Sequence, residues 1–569
     1  MASIHSGYTL CCIMCGAEND ERETSTYCTA CGGVLEIRYE ENRREIQYPL
    51  NSIVPDPLKN APSALKKLQR LSGRYEAELF AKLEFEHPTG CFKDRGSYIE
   101  VQKALELGAQ AICLASTGNM AASVAAYACY FKIPCYVFVP EKTSEARLAQ
   151  ATIYNANILR IKSDFAHCEA LCRKFAATGN YYLAGDYVFR EEGQKSFSYE
   201  LIEQGGTDLD VVFIPVGCGT NFGAIYKGMK EMRNAGVIEQ IPQLIAVQPE
   251  ESSPVVEGIF KKEKVVKDQV YSMATSVATS NPIDFYKVLN GIEDTGGKAY
   301  TVTENEILDS LREMAVEEGS FTEPASALPL AAFKNNRETY RGKKCLFVLT
   351  GSGLKDTRVV AKHALTPPVL QPDLEDVQSY IQSGFIDMQK KAWGKSRETV
   401  LANFKLDENH KKLYDRYIDH IHKRGKTLNK TEIEFLQSMV IHEQADLDYP
   451  VEVIDYKVTM QKEGLVQAEV KLSVQGQNTT SRHKGVGPVD AILHAIKGKS
   501  DHLVPLEIKD HEVEILSPDT DSLVVVTLTL GKDGQEWVSR GASPDTIEAA
   551  IHAFEKGVAI AFKAETPGR

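Results

Sequence analysis

Glu84-Phe85-Glu86-His87-Pro88-Thr89-Gly90-Cys91-Phe92-Lys93-Asp94-Arg95-Gly96 is the stretch around which the rest of the chain is organised. It follows a strand-like apolar run, Glu78-Leu79-Phe80-Ala81-Lys82-Leu83, and Pro88 and Gly90 mark a turn after that run. Downstream, Tyr98, Val101, Ala104 and Leu105 recur at helix-face spacing. The pattern predicts Lys93 at a strand-to-helix junction, where a side chain is held rigidly and still reaches a pocket. A lysine amine attacks aldehydes only when neutral, which needs a desolvated or cationic setting. Asp94 and Arg95 argue against a purely apolar setting, and such a lysine taken alone also reads as a solvated helix-start residue.

Outward from this stretch, from about 76 to 360, short apolar runs alternate with helical patterns. The runs are 111–115, 135–139, 157–161, 211–216, 244–247 and 345–349. This alternation predicts an α/β fold with parallel sheets covered on both faces. In such folds ligands collect at the carboxyl ends of strands, so the loops after the runs are the candidate sites.

Three of those loops carry the right chemistry. Ser116-Thr117-Gly118-Asn119-Met120 opens a small-residue helix; its backbone N–H groups suit a carboxylate, and Asn119 offers an amide donor. Pro215-Val216-Gly217-Cys218-Gly219-Thr220-Asn221 is a glycine turn that lets backbone approach a phosphate; no Gly-Lys-Ser/Thr follows, so it is not a Walker loop. Thr350-Gly351-Ser352-Gly353-Leu354-Lys355-Asp356 places a hydroxyl at Thr350 that can hydrogen-bond a ring nitrogen without holding it protonated. Each loop alone also reads as an ordinary strand-to-helix turn.

Taken together, Pro88 to Gly96 and these loops resemble fold-type II pyridoxal-phosphate enzymes, and within them the threonine synthases. His87, Cys91 and Cys218 stand where the family usually has Asn, Ser and Asn. The resemblance implies Lys93 as the Schiff-base lysine and Asn119 on the pyridoxal hydroxyl. It also implies Gly217, Cys218, Gly219, Thr220 and Asn221 around the cofactor phosphate, and Thr350 on the ring nitrogen. Ser116, Thr117, Asn119 and Met120 become the substrate-carboxylate loop. Arg190-Glu191-Glu192-Gly193-Gln194-Lys195-Ser196 and Glu318 to Ala327 also resemble family segments. Lys82, Arg190 and Lys195 are candidates for an anionic substrate group, since a phosphate needs cations. The implied reaction converts O-phospho-L-homoserine and water to L-threonine and phosphate. Cysteate synthase and threonine dehydratase chemistry on the same loops are the alternatives, as is a non-catalytic sensor.

Before residue 41, Cys12-x-x-Cys15 and Cys28-x-x-Cys31 have the spacing of two knuckles around a tetrahedral Zn²⁺. Four thiolates leave no open position, so the role would be structural; a metal-free ribbon or a redox pair is the alternative. Many threonine synthases have a similar ribbon at this place.

After Thr366 the texture changes. Pro367, Pro368 and Pro372 mark a linker, and 375–447 is charged and helical in pattern. Residues 450–569 contain an internal repeat, each copy a set of strands, a glycine, a proline at the helix start and an apolar helix face. Gly-Val-Gly-Pro-Val-Asp-Ala at 485–491 and Gly-Ala-Ser-Pro-Asp-Thr-Ile at 541–547 resemble the C-terminal regulatory domain of α-isopropylmalate and citramalate synthases. That resemblance implies a homodimer and a branched-chain amino-acid effector, its carboxylate near Gly487, Pro488, Ala542 and Asp545. The expected domains are therefore 1–40 (ribbon), 41–365 (catalytic), 366–449 (linker and helices) and 450–569 (α+β regulatory).

Length and charge bound the rest. A chain of 569 residues exceeds one ordinary domain, and a net charge of −13 gives no support to nucleic-acid binding. No apolar run reaches membrane-spanning length and the first residues lack a signal-peptide pattern. Thirteen cysteines, several in strand-like runs, suggest reduced thiols and a cytoplasmic protein.

Overall fold

The computed structural model describes residues 7–21, 26–40, 43–59, 61–363, 408–423, 447–460, 465–516 and 522–565, with scattered positions in 372–381 and 426–440. Pro367, Pro368 and most of the expected helical stretch lie outside the described residues; within that stretch Glu408–Lys423 is a helix. The chain divides into two units, Met1–Ala364 and Leu365–Arg569. No helix among the described residues is long and apolar enough to cross a membrane.

The first unit begins with an antiparallel ribbon of β1 (Tyr8–Cys12), β2 (Glu18–Asn19) and β3 (Leu35–Tyr39), in the order β2-β1-β3. Two larger sheets follow. The smaller contains β6 (Ala111–Ala115), β7 (Cys135–Pro140), β8 (Asn157–Ile161) and β9 (Tyr181–Leu183), all parallel, in the order β8-β7-β6-β9. The larger is built from β4 (Leu65–Lys67), β5 (Glu78–Leu83), β10 (Val211–Pro215), β11 (Gln243–Pro249), β12 (Lys298–Val302) and β13 (Lys344–Leu349). Its order is β12-β11-β10-β13-β5-β4, parallel except where β4 runs against β5. Val211–Pro215 is buried end to end, as a strand covered on both faces must be.

One pairing positions the site. β5 and β13 lie side by side in register from Glu78 opposite Lys344 to Leu83 opposite Leu349. The two segments that leave the sheet at that edge, 84–93 and 350–356, therefore emerge next to each other. Lys93 then starts the Lys93–Glu106 helix, which is buried from Asp94 to Ala104. That helix crosses the Val188–Gln194 helix at two glycines. A Cβ on Gly96 would come within 2.5 Å of Arg190 Cγ, and one on Gly193 within 2.1 Å of the Arg95 carbonyl. Backbone approach this close tolerates no side chain on either partner.

The second unit carries the repeat. β14 (Val451–Thr459), β15 (Val466–Val474) and β16 (Gln477–Gly485) form one antiparallel sheet, followed by the Pro488–Ser500 helix. β17 (Glu507–Ile515), β18 (Val524–Lys532) and β19 (Gln535–Ser543) form the other, followed by the Thr546–Glu565 helix. The copies match in detail. Each has a two-residue hairpin with both φ positive, at Gln475-Gly476 and at Asp533-Gly534. Each also has a register shift in its first strand, at Val453/Asp455 and at Ile508/Asp510. One core joins them: Ala468, Val470, Leu472 and Ile496 of the first copy pack with Val526, Leu528, Leu530 and Phe554 of the second.

Candidate active site

Backbone hydrogen bonds tie the Lys93 turn to the loop after β13. Phe92 N–H donates to the Thr350 carbonyl at 3.0 Å, and Ser352 N–H to the Gly90 carbonyl at 2.9 Å. Glu323 N–H donates to the Gly351 carbonyl at 2.9 Å, which brings a third segment in. The turn itself is closed by Asp94, whose carboxylate accepts from Thr89 N–H at 2.8 Å and Thr89 Oγ1 at 2.6 Å. Gly90 sits at φ +81°, which the turn needs and other residues resist.

The cleft so formed is lined by Phe92, Lys93, Asn119, Asp186, Ser276, Val277, Glu323 and Thr350, and by residues 215–222. Lys93, Asn119, Thr350 and the Gly217–Asn221 turn, singled out from sequence, thus converge on one wall-to-wall space. Within the turn, Gly219 has φ +101°, and a Cβ there would come within 2.9 Å of Val288 and 3.1 Å of the Asp284 backbone. The Thr220–Asn234 helix starts immediately after, so its free N–H groups face the turn. Asn221 Nδ2 is buried with no hydrogen-bond partner, while Thr220 Oγ1 donates to Asp284 at 2.5 Å. A helix start, a glycine turn without room for a Cβ and an unpartnered buried amide fit a phosphate group.

Two carboxyl groups in the cleft escaped the sequence reading. Lys93 Nζ lies 2.9 Å from Asp186 Oδ1, with side-chain exposures of 17% and 15%, so both open onto the cleft. Burial pushes the Asp186 carboxyl up, but Lys93 and Arg190 pull harder and hold it below the usual range. Glu323 accepts from Asn119 Nδ2 at 2.9 Å and from Thr350 Oγ1 at 3.2 Å, so one carboxyl joins the two expected ring-binding residues. Burial holds the Glu323 carboxyl above its ordinary value despite those two donors. Asp186 follows the three-residue strand β9 and obeys the rule that loops after parallel strands carry the site. The thiols are quiet: burial pushes Cys91 up to about 11 and Cys218 up to about 12. Both stay protonated at neutral pH and neither is a nucleophile.

The three expected anion-binding cations are elsewhere. Lys82 Nζ donates to the Ser63 carbonyl, Ser63 Oγ at 2.7 Å, Glu200 at 2.6 Å and Gln204 at 3.0 Å. Arg190 is fully buried on Glu100, Ser97 and the Gly185 carbonyl. Lys195 pairs with Glu192 at 2.7 Å and Glu231 at 3.0 Å, its ammonium over the Tyr39 ring. None lines the cleft, because a cation this deeply buried is held by its own carboxylates. Ser116, Thr117 and Met120 do not line it either; Ser116 Oγ accepts from Ala121 N–H at 3.2 Å at the start of the next helix.

In the second unit, Gly487 precedes the Pro488–Ser500 helix in extended conformation, and Ala542 is buried in β19. Asp545 does not leave its helix start free: its carboxylate accepts from Ile547 N–H at 2.8 Å and Glu548 N–H at 3.2 Å. At the other end of the chain, the Sγ atoms of Cys12, Cys15, Cys28 and Cys31 all lie within 4.8 Å of one another. The Cys12–Cys31 and Cys15–Cys28 separations are 3.5 and 3.7 Å. Zn–S bonds of about 2.3 Å in a tetrahedron put sulfurs about 3.8 Å apart, so the donor set fits that ion. Cys11 lies outside the cluster.

Comparison with known proteins agrees with this geometry. The pyridoxal-phosphate dependent enzyme family matches residues 58–351, and the LeuA allosteric (dimerisation) domain matches 429–561. Threonine synthase of Methanocaldococcus jannaschii is 32% identical over 392 residues, covering 64% of this chain and 96% of that protein. Threonine synthase of Methanosarcina acetivorans is 32% identical over 399 residues, covering 66% and 98%. That of Bacillus sp. (strain ULM1) is 33% identical over 341 residues, covering 59% and 95%.

Proposed function

The chain belongs to the pyridoxal-phosphate dependent enzyme family as a lyase of the threonine synthase kind, and on that premise we propose that it makes L-threonine and phosphate from O-phospho-L-homoserine and water. O-phospho-L-homoserine is the ester that the resemblance implies. In the overall change the Cγ–O bond to the leaving group breaks, one hydrogen leaves Cβ and a hydroxyl from water takes its place, and that hydrogen and the second proton of water are accounted for by the new Cγ–H bond and the released phosphate. The observation that carries the reading is the convergence of Lys93, Asn119, Thr350 and the Gly217–Asn221 turn on one cleft.

Lys93 is the residue that would bond the cofactor aldehyde carbon, and the Gly217–Asn221 turn would hold its phosphate. Pyridoxal phosphate, when bound, supplies the electron sink that spreads the charge of a deprotonated Cα. As a free neutral amine, Lys93 would take the Cα proton and return protons further along the substrate. Asp186, at 2.9 Å, is placed to steady the ammonium that results. Thr350 would offer the ring nitrogen a hydroxyl and Asn119 would offer the ring oxygen an amide; Glu323 accepts a hydrogen bond from each and so orients both side chains. Cys12, Cys15, Cys28 and Cys31 would hold a structural Zn²⁺ that pins the ribbon. The C-terminal domain is the seat of a homodimer and of control by leucine or isoleucine, supported by its match to the LeuA allosteric (dimerisation) domain.

The test is to supply holoenzyme with O-phospho-L-homoserine and quantify L-threonine and phosphate, with and without leucine or isoleucine. Threonine appearing in step with phosphate, at a rate one of the two effectors changes, supports the reading. Formation of 2-oxobutyrate from threonine with no threonine synthesis would replace it with the dehydratase reading.

A further inference from the structure

The contact between Lys93 and Asp186 is held from behind by an ion pair that does not line the cleft. Glu100 and Arg190 are both fully buried, and their charges face each other. A buried ion pair adds little stability of its own, so its worth lies in what it holds in place. This one holds main chain. Glu100 Oε1 accepts from Gly185 N–H at 3.1 Å, and Arg190 Nε donates to the Gly185 carbonyl at 2.9 Å. That carbonyl belongs to the peptide bond leading into Asp186. Arg190 Nη1 donates to the carbonyl of Lys93 itself at 3.3 Å, and Nη2 donates to Ser97 Oγ at 3.2 Å and to Glu100. One guanidinium thus ties the residue that carries the amine to the residue next to the one that carries the acid.

The local structure explains why such a tie is needed. Asp186 follows a strand of only three residues, which by itself fixes little. Lys93, Ser97 and Glu100 stand at i, i+4 and i+7 of one helix and so share a face. Gly96 and Gly193 let that helix and the one bearing Arg190 approach closely enough for the guanidinium to reach all four acceptors. Only a planar fork donates in several fixed directions at once; an ammonium at the same place would not. The charged and titratable groups around Asp186 are Lys93 at the helix start, Arg190 on the 188–194 helix, Cys218 on the glycine turn and Glu100 behind it.

We propose that Glu100 and Arg190 are positioning residues: acting through Gly185 and the Lys93 carbonyl, they keep the Asp186 carboxylate against the Lys93 nitrogen and so set how firmly that nitrogen holds a proton. The inference rests on the cleft being the cofactor site and on the role given to Asp186 above. A carboxylate at 2.9 Å favours the protonated nitrogen, and a displaced one favours it less.

The experiment titrates the visible absorbance of the holoenzyme's bound cofactor against pH, without substrate, and follows the acid limb of kcat for O-phospho-L-homoserine. Arg190→Lys keeps a cation opposite Glu100 and loses the fork. Glu100→Gln keeps an oxygen for Gly185 N–H and loses the charge that orients Arg190. Each should lower the midpoint of both profiles by about one pH unit, and Asp186→Asn by at least as much. Added to Asp186→Asn, neither change should lower the midpoints further, because no carboxylate is left to place. Midpoints unmoved by both single variants overturn the proposal, as does a further drop when either is combined with Asp186→Asn. A rise in KM at unmoved midpoints also overturns it, and makes Arg190 a substrate-binding residue instead. In each of those cases normal cofactor uptake leaves the reading of the cleft standing; a chain that takes up no cofactor at Lys93 overturns that reading and the proposal together.

Discussion

Lys93 Nζ and Asp186 Oδ1 lie 2.9 Å apart although 93 residues separate them in the chain. The contact joins the first residue of the helix after β5 to the loop after β9, and so links the two parallel sheets through the cleft. It places an acid against the amine on which the chemistry depends.

Glu323 is the hinge of the ring-binding side of the cleft. Glu323→Gln keeps an oxygen for Asn119 Nδ2 and offers an amide to Thr350, which can accept. Glu323→Ala takes the partner from Asn119 Nδ2 and leaves Thr350 Oγ1 only Ser326 Oγ at 3.1 Å, and the unpaired amide costs about 1–3 kcal/mol. The alanine variant should therefore release cofactor about tenfold more readily than the glutamine variant, read by equilibrium dialysis. Equal retention by the two variants would contradict this role.

Gly219→Ala attacks the cradle directly. At φ +101° with Asp284 and Val288 around 3 Å away, a methyl group has no space, and the strain is about 1–3 kcal/mol. Cofactor affinity should fall while the far-ultraviolet circular dichroism stays that of wild type.

The cysteine cluster predicts one zinc per chain by metal analysis. Cys28→Ser should bind less than wild type and lower the thermal midpoint of the ribbon, since structural zinc contributes on the order of several kcal/mol. Turnover by the folded remainder should persist, because none of the four cysteines lines the cleft.

Glu555 gives the second unit a pH dependence. Burial on the Thr546–Glu565 helix pushes its carboxyl up to about 7, against the Val453 N–H that donates to it. A raised pKa means the stabilisation is whole below the ordinary carboxylate range and is lost as pH rises through about 7. The unfolding free energy from the second unit's urea transition in the full chain should fall between about pH 5 and pH 8, by on the order of 3 kcal/mol, and Glu555→Gln should flatten the slope.

Much of the architecture was legible before any coordinates. The runs at 111–115, 211–216 and 345–349 are continuous, apolar and bounded by glycine, and each became a buried or nearly buried parallel strand. The four cofactor segments were legible because each follows such a run. The partners of charged residues were not. Lys82 is neutralised by Glu200 and Arg190 by Glu100, at sequence separations of 118 and 90 that no local pattern encodes. Asp186 escaped for a related reason: its strand is three residues long, too short for an apolar signature. The cap at Asp545 was also legible, since Ser-Pro-Asp ahead of a helix is a self-capping pattern, and its carboxylate accepts from Ile547 N–H at 2.8 Å.

The account stands on which lysine binds the cofactor. Borohydride reduction of the holoenzyme, proteolysis and mass mapping of the pyridoxyl-bearing peptide give a direct answer. The account predicts one modified residue, Lys93, with Lys93→Ala losing both the label and the visible absorbance. A stoichiometric label on any other lysine, or an unlabelled Lys93 in active enzyme, would contradict it.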